Sequence, residues 1–187
     1  MTEPGGGGQG DPEDILARYH DLVAKVDDFW SRARRAQPDH FRCRDGCDDC
    51  CRQQLTVFPV EATAIRAFLR VLDPGLRRTL AERAGGIDPT PPSCVFLTER
   101  HCAIYPVRPL ICRSHGLPVR VDGRLDWCPL NFTHGEPVDA SVLELDRINT
   151  MLALVDRLHA DAMGSAPDRD RIALRELALD PECAGSG

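Results

Sequence analysis

Apolar residues recur at helical spacing in several stretches of the chain. Ile15, Leu16, Tyr19, Leu22, Val23, Val26, Phe29, Trp30 and Ala33 fall on one side of a single amphipathic helix. Asp11 stands where an N-cap belongs and Pro12 suits the first helical position, so this helix is expected over 12–36. A second pattern opens at Pro59, with Ala62, Ile65, Phe68, Leu69 and Leu72 on one face, and Asp73-Pro74-Gly75 breaks it. A short helix over 76–84 is expected to end at Gly85-Gly86. Beyond Pro137, Val142, Leu145, Ile148, Leu152, Val155 and Leu158 mark the buried stripe of a helix over 140–163. Pro167 opens a last helix to Leu179.

Between these helices the pattern changes. Residues 42–53 are polar and turn-rich around Gly46, which suits a loop. Cys94-Val95-Phe96-Leu97 reads as a short strand, and Leu117 to Trp127 as a hairpin turning at Asp122-Gly123. Tyr105-Pro106-Val107-Arg108-Pro109 is stiffened by two prolines, which fix φ and remove backbone donors. The Gly-rich residues 1–10 are expected to form a disordered tail, 87–93 a Pro-rich linker and 181–187 a flexible end. The expected fold class is mainly α with a small β-hairpin. An irregular cysteine-rich core, about 40–130, is packed by flanking helices at 12–36 and 140–179, all in one domain over 11–180.

Composition adds one strong feature. A chain of 187 residues can bury roughly 70% of its unfolded surface, so size alone demands no disulfide or metal staple. Yet it holds nine cysteines. The start, Met1-Thr2-Glu3-Pro4 followed by four glycines, has neither a basic nor an apolar segment of a secretory signal, and no apolar run is long enough for a membrane span. The expected compartment is the cytoplasm, where thiols stay reduced and clustered cysteines bind metal or do redox work. The net charge of −6, with Lys25 the sole lysine, speaks against nucleic acid as a partner. The basic run Arg32-Ala33-Arg34-Arg35 complements the negative end of the first helix. Heavy Arg, Ala, Gly and Pro usage points to a bacterial, GC-rich genome.

The chemistry concentrates in Cys43-x3-Cys47-x2-Cys50-Cys51. A metal ion or cluster needs several soft anionic ligands converging on one point, and four thiols in nine residues supply them. Cys50 and Cys51 diverge as neighbours and make a strained pair for a disulfide, so they serve different ligation roles. Cys94, Cys102, Cys112 and Cys128 form a second set, enough with the first for two four-thiolate sites or for one cluster and another site. His101 and His115 flank this set. Cys183, near the end, reads as a free thiol.

This string resembles the bacterial YkgJ family of zinc- or iron-chelating cysteine-cluster proteins. The resemblance runs from Cys43-x3-Cys47-x2-Cys50-Cys51-Arg52 through Cys94-Val95-Phe96-Leu97 and Cys102-x-Ile104-Tyr105-x2-Arg108-Pro109-x2-Cys112-Arg113 to Cys128-Pro129, about residues 40–130. It implies metal chelation by all eight cysteines, with no defined reaction. The string is also similar to that of flagellin lysine methylases, whose likeness implies an iron–sulfur cluster and methyl transfer from S-adenosylmethionine.

All-thiolate ligation suits zinc or an iron–sulfur cluster, and not magnesium or calcium. One Cys-x-x-Cys knuckle with dispersed partners is unlike a two-knuckle zinc ribbon, and Cys128-Pro129 echoes the Cys-Pro of ferredoxin ligand runs, so the cluster is favoured. Arg108, Arg113 and Tyr105 are candidates to stand beside it, the arginines donating hydrogen bonds to sulfur or binding an anionic substrate. Three functions fit: a metal-binding module with a redox role, an iron–sulfur enzyme of group transfer or electron delivery, and an interaction protein whose helices dock a partner around structural zinc. No phosphate loop, dinucleotide fingerprint or base-stacking platform is present.

Overall fold

The computed structural model describes residues 11–86, 92–165 and 171–180. The expected tails, most of the linker, Pro167 and Cys183 lie outside them. Helix α1 spans Pro12–Ala36, as its periodicity predicts. The Asp11 carboxylate accepts the Glu13 amide at 3.0 Å, which satisfies one of the donors a helix start leaves unpaired. Helix α2 covers Pro59–Val71 and α3 covers Pro74–Gly85. The latter begins two residues earlier than expected, because the Asp73 side chain caps the Leu76 amide and Pro74 fits the first turn without losing a bond. The remaining helices are α4, Leu110–Ser114; α5, Leu145–Ala162; and α6, Leu174–Leu179.

The strands are short. β1, Thr56–Val57, pairs antiparallel with β7, Ile172–Ala173. β2, Leu97–Thr98, pairs with β3, His101–Cys102. β4, Val119–Val121, pairs antiparallel with β5, Arg124–Asp126, and parallel with β6, Leu143–Glu144. The β4–β5 turn falls at Asp122 and Gly123, both at positive φ, as the Asp-Gly pair predicts. The fold is mainly α with small β elements.

Four expectations need correction. The helix expected from 140 begins at Leu145, because Leu143–Glu144 extend to pair with β4, and Val142 is buried from an extended backbone. Leu158, expected in the buried stripe, is 44% exposed. The last helix is expected from Pro167, which lies outside the described residues; among those described, Ile172–Ala173 are extended and pair with β1, and the helix runs from Leu174. The strand expected at 94–97 is a turn that becomes extended only at Leu97.

Helix α2 separates two apolar clusters. On one side Tyr19, Leu22 and Val26 of α1 meet Phe41, Val60, Leu110, Leu117, Phe132 and Leu152. On the other, Ile65 and Leu69 meet Leu80, Phe96, Ile104, Leu174 and Leu177, and Cys94 and Cys102 pack against this group. Each such side chain, fully buried, stabilises the fold by about 1.5–3 kcal/mol. Glu61 joins the clusters. It is 1% exposed, and its two carboxylate oxygens accept the Phe58 amide at 3.0 Å and the Leu110 amide at 2.9 Å. One acidic side chain thereby caps α2 and holds the start of α4, which carries Cys112.

Candidate metal centre

The first thiol segment is a loop closed by local hydrogen bonds. The Cys47 amide donates to the Arg44 carbonyl at 3.0 Å around Gly46, whose φ is +76°, and the Cys51 amide donates to Asp48 at 2.9 Å. Asp48 lies between the cysteines and is buried at 6% exposure. Its carboxylate is met by Arg52 at 2.8 Å and by Arg100 at 3.5 Å. Arg100 comes from the β2–β3 turn, where Glu99 and Arg100 both take positive φ, +47° and +66°. Two left-handed central residues make the tight turn that suits strand twist. From it Arg100 also reaches the Gly46 carbonyl, so the hairpin tip straps the first loop.

Backbone bonds bring the other thiols in. The Cys94 amide donates to the Cys51 carbonyl at 2.7 Å, sewing the two segments together. Cys102 faces Leu97 across the β2–β3 ladder. Pro109 starts α4, and the Cys112 amide donates to the Pro109 carbonyl at 2.9 Å. All eight described cysteines are free thiols.

The thiols share two neighbourhoods. Burial pushes Cys112 up, and the sulfurs of Cys94, Cys102 and Cys50 push it further. Burial lifts Cys102 to about 11, with Cys94 and Cys50 adding to the shift and Arg108 opposing it. Burial also raises Cys94, with Cys50 again contributing. Cys50 is raised first by a hydrogen bond with the Cys51 thiol and then by burial. In the second neighbourhood burial raises Cys43, the Asn131 amide opposes it, and Cys47, Cys128 and Cys50 add to the rise. Among the described residues no group of three or more His, Cys, Asp or Glu side chains stands closed in ion-holding geometry. The thiols are thus gathered without forming a finished coordination sphere.

The donor set fits a soft metal. Thiols are packed where their own charges repel and water is scarce, so ionising them together requires a cation. The guanidinium of Arg108 lowers Cys50 and Cys102 and lies 4.1 Å over the Tyr105 ring. Its buried Nε has no hydrogen-bond partner, a donor left spare beside sulfur acceptors. Tyr105 itself is 58% exposed. Arg113 behaves differently. It is buried, and its guanidinium is spent on the Arg108 carbonyl at 2.8 Å, the Pro106 carbonyl at 2.7 Å and the Asp27 carboxylate of α1. Arg113 therefore shapes the proline segment that carries Arg108.

The two histidines take up polar contacts of their own. His101 is exposed, with Nε2 3.1 Å from Asp45 and Nδ1 2.8 Å from the Glu99 carbonyl, contacts that raise its pKa. Together with Arg44, Gly46 and Arg100 these residues line a shallow surface cleft. His115 is partly buried, which lowers its pKa, and its Nε2 lies 3.2 Å from the Gln53 amide.

Sequence reasoning missed several supporting residues. Asn131 is 1% exposed and touches Cys43 Sγ at 3.5 Å. Gly116 has φ +90°, and a Cβ there would stand 2.5 Å from Cys43 Sγ. Asp48, Glu61 and Arg83, whose charge lowers Cys94, complete the group. Asn131 follows Cys128-Pro129 by two residues and Gly116 follows His115, but neither residue type signals a thiol partner before the fold brings Cys43 beside it.

Residues 42–129 match the CxxCxxCC family model, described as a putative zinc- or iron-chelating domain. Zinc or iron chelation is the function this match indicates. No curated protein and no solved structure matches the chain.

Proposed function

Because residues 42–129 match a zinc- or iron-chelating domain, we propose that the chain chelates metal through two neighbouring thiolate groups and holds an iron–sulfur cluster in the deeper one. Cys50, Cys94, Cys102 and Cys112 form that deeper group, with Cys50 at its exposed edge. Cys43, Cys47 and Cys128 form the other, and Cys51, whose thiol hydrogen-bonds Cys50, stands with the first. The observation that carries the grouping is electrostatic: beyond burial, Cys94, Cys102 and Cys50 raise Cys112, Cys47 and Cys128 raise Cys43, and Cys50 acts on both groups.

Ligands drawn from four separate segments, with one Cys-x-x-Cys knuckle, favour a cluster over a zinc ribbon. One-electron transfer is the chemistry such a cluster supplies when bound. The chain's residues hold and tune it: Arg108 offsets thiolate charge, Arg113 fixes the Arg108 loop, and Glu61 fixes the start of α4. The cytoplasm is the compartment that keeps such thiols reduced.

Anaerobic purification, elemental analysis and an absorption spectrum of the full chain test this reading. Wild-type protein is expected to contain iron and acid-labile sulfide with visible sulfur-to-iron absorption. Cys112→Ser should abolish that absorption, whereas Cys47→Ser should keep it and lower total metal. Colourless protein holding zinc alone refutes the cluster; protein that takes no metal refutes chelation; identical losses in the two variants refute the grouping.

A further inference from the structure

Asn131 has its backbone tied to the neighbouring Cys128 and its side chain to a thiol segment far away in the chain. Its amide N–H donates to the Cys128 carbonyl at 2.8 Å. Its side-chain Oδ1 accepts the Arg42 amide at 2.7 Å, and Nδ2 donates to the Gly116 carbonyl at 2.7 Å. These partners fix the orientation, since a backbone N–H can only donate and a carbonyl can only accept. The second hydrogen on Nδ2 is left for Cys43 Sγ, 3.5 Å away and 88 residues earlier in the chain. Asn131 is buried at 1% exposure, so water offers little alternative partner for that hydrogen.

Beside that amide, a second wall of the same sulfur is bare backbone. At Gly116 the φ of +90° excludes ordinary side chains, and a Cβ would sit 2.5 Å from Cys43 Sγ. The sulfur thus rests in a socket made by the Gly116 Cα and the Asn131 amide. An N–H donor aimed at sulfur bonds far better to a thiolate than to a thiol, because the acceptor then carries full charge.

We infer that Asn131 is the positioning residue of the Cys43–Cys47–Cys128 group: its amide seats Cys43 as an anionic ligand and registers it against Cys128. This rests on the two-group reading above and adds the residue that assembles the shallower group. The amide acts through the sulfur, so its effect must disappear when that sulfur is absent.

The test is a double-mutant cycle on the reduced full-length protein, with Co²⁺ alone as probe and a chelator in competition. Asn131→Asp keeps an oxygen for the Arg42 amide and sets a carboxylate in place of the donor. It is expected to weaken Co²⁺ binding by about 10–100-fold, the usual cost of losing a group that orients a ligand, and to shift the thiolate-to-cobalt absorption. In a Cys43→Ser background the same change should have little further effect. An equal loss in both backgrounds, or wild-type affinity and spectrum in Asn131→Asp, overturns the inference. If Asn131→Asp does not fold, Asn131→Ser is read in the same cycle. Wild-type protein that binds no Co²⁺ would instead sink the chelation reading itself, a separate outcome.

Discussion

Raising pH on the metal-stripped, reduced protein should unfold it from the thiols outward. The Cys102 thiol is held at about 11 against an ordinary value of 9.0. Between those values the folded state keeps a proton that the unfolded state has released. Stability is therefore fully present below about pH 9 and falls as pH rises toward 11. Two pKa units at about 1.36 kcal/mol each give a loss of about 3 kcal/mol from Cys102 alone. Cys43, Cys50, Cys94 and Cys112 are displaced in the same direction, so their contributions add to the fall. Against a typical total stability of about 5–15 kcal/mol, this is a large share. Urea midpoints measured from pH 7 to 11 check it, with Cys102→Ser run beside the wild type. The buried Tyr19 hydroxyl also moves upward, so the difference between the two proteins isolates the thiol. A flat profile above pH 9, or the same slope in Cys102→Ser, refutes the reasoning. Loaded protein should show the opposite trend below pH 9, because metal must displace those protons and is favoured as pH rises.

Two further changes test the supports. Arg113→Gln leaves the Pro106 and Arg108 carbonyls and Asp27 without their shared donor, and should cost roughly 3 kcal/mol in urea unfolding; a loss below about 1 kcal/mol would show that the proline segment holds its shape unaided. Glu99→Asn places a residue that tolerates left-handed backbone at φ +47°, and should raise stability by about 0.5–1 kcal/mol, read from the thermal midpoint; a drop would mean that the Glu99 side chain does more than occupy the turn.

The long helices and the β4–β5 hairpin were legible because each is governed by local rules. α1 has an N-cap, a first-turn proline and a steady apolar period, and the hairpin has Asp-Gly at its turn. The β2–β3 hairpin was hidden for the converse reason. Its turn uses Glu99 and Arg100, whose sequence gives no hint of positive φ; the Arg100 contacts with Gly46 and Asp48 accompany that conformation and are long-range. β6 and β7 were lost to helix for a related reason. Two-residue strands carry no period of their own, and only their partners, Val119–Arg120 and Thr56–Val57, determine them. At the site the thiols stand out by their type, since four cysteines within nine residues supply the soft ligands a metal needs. Asn131 and Gly116 do not, because an amide and a glycine become informative only once Cys43 is beside them.

The match over residues 42–129 ends short of what holds the thiols in place. Asp27 of α1 secures Arg113 and through it the loop of Arg108. The Trp30 indole donates to the His115 carbonyl at 3.4 Å, next to the glycine that faces Cys43. From α5, Asp156 accepts the Val60 amide at 2.9 Å, at the same end of α2 where Glu61 grips the start of α4. Asp27 and Trp30 thus act beside Cys112 and Gly116, and Asp156 acts on the end of α2 whose Glu61 holds the start of α4. The loop of Cys43, Cys47, Cys50 and Cys51 is polar with few apolar residues to bury, so its own packing supplies little positional restraint. Helices α1 and α5 provide that restraint from outside the matched region. Changes on their inward faces should therefore alter metal affinity without touching a single sulfur.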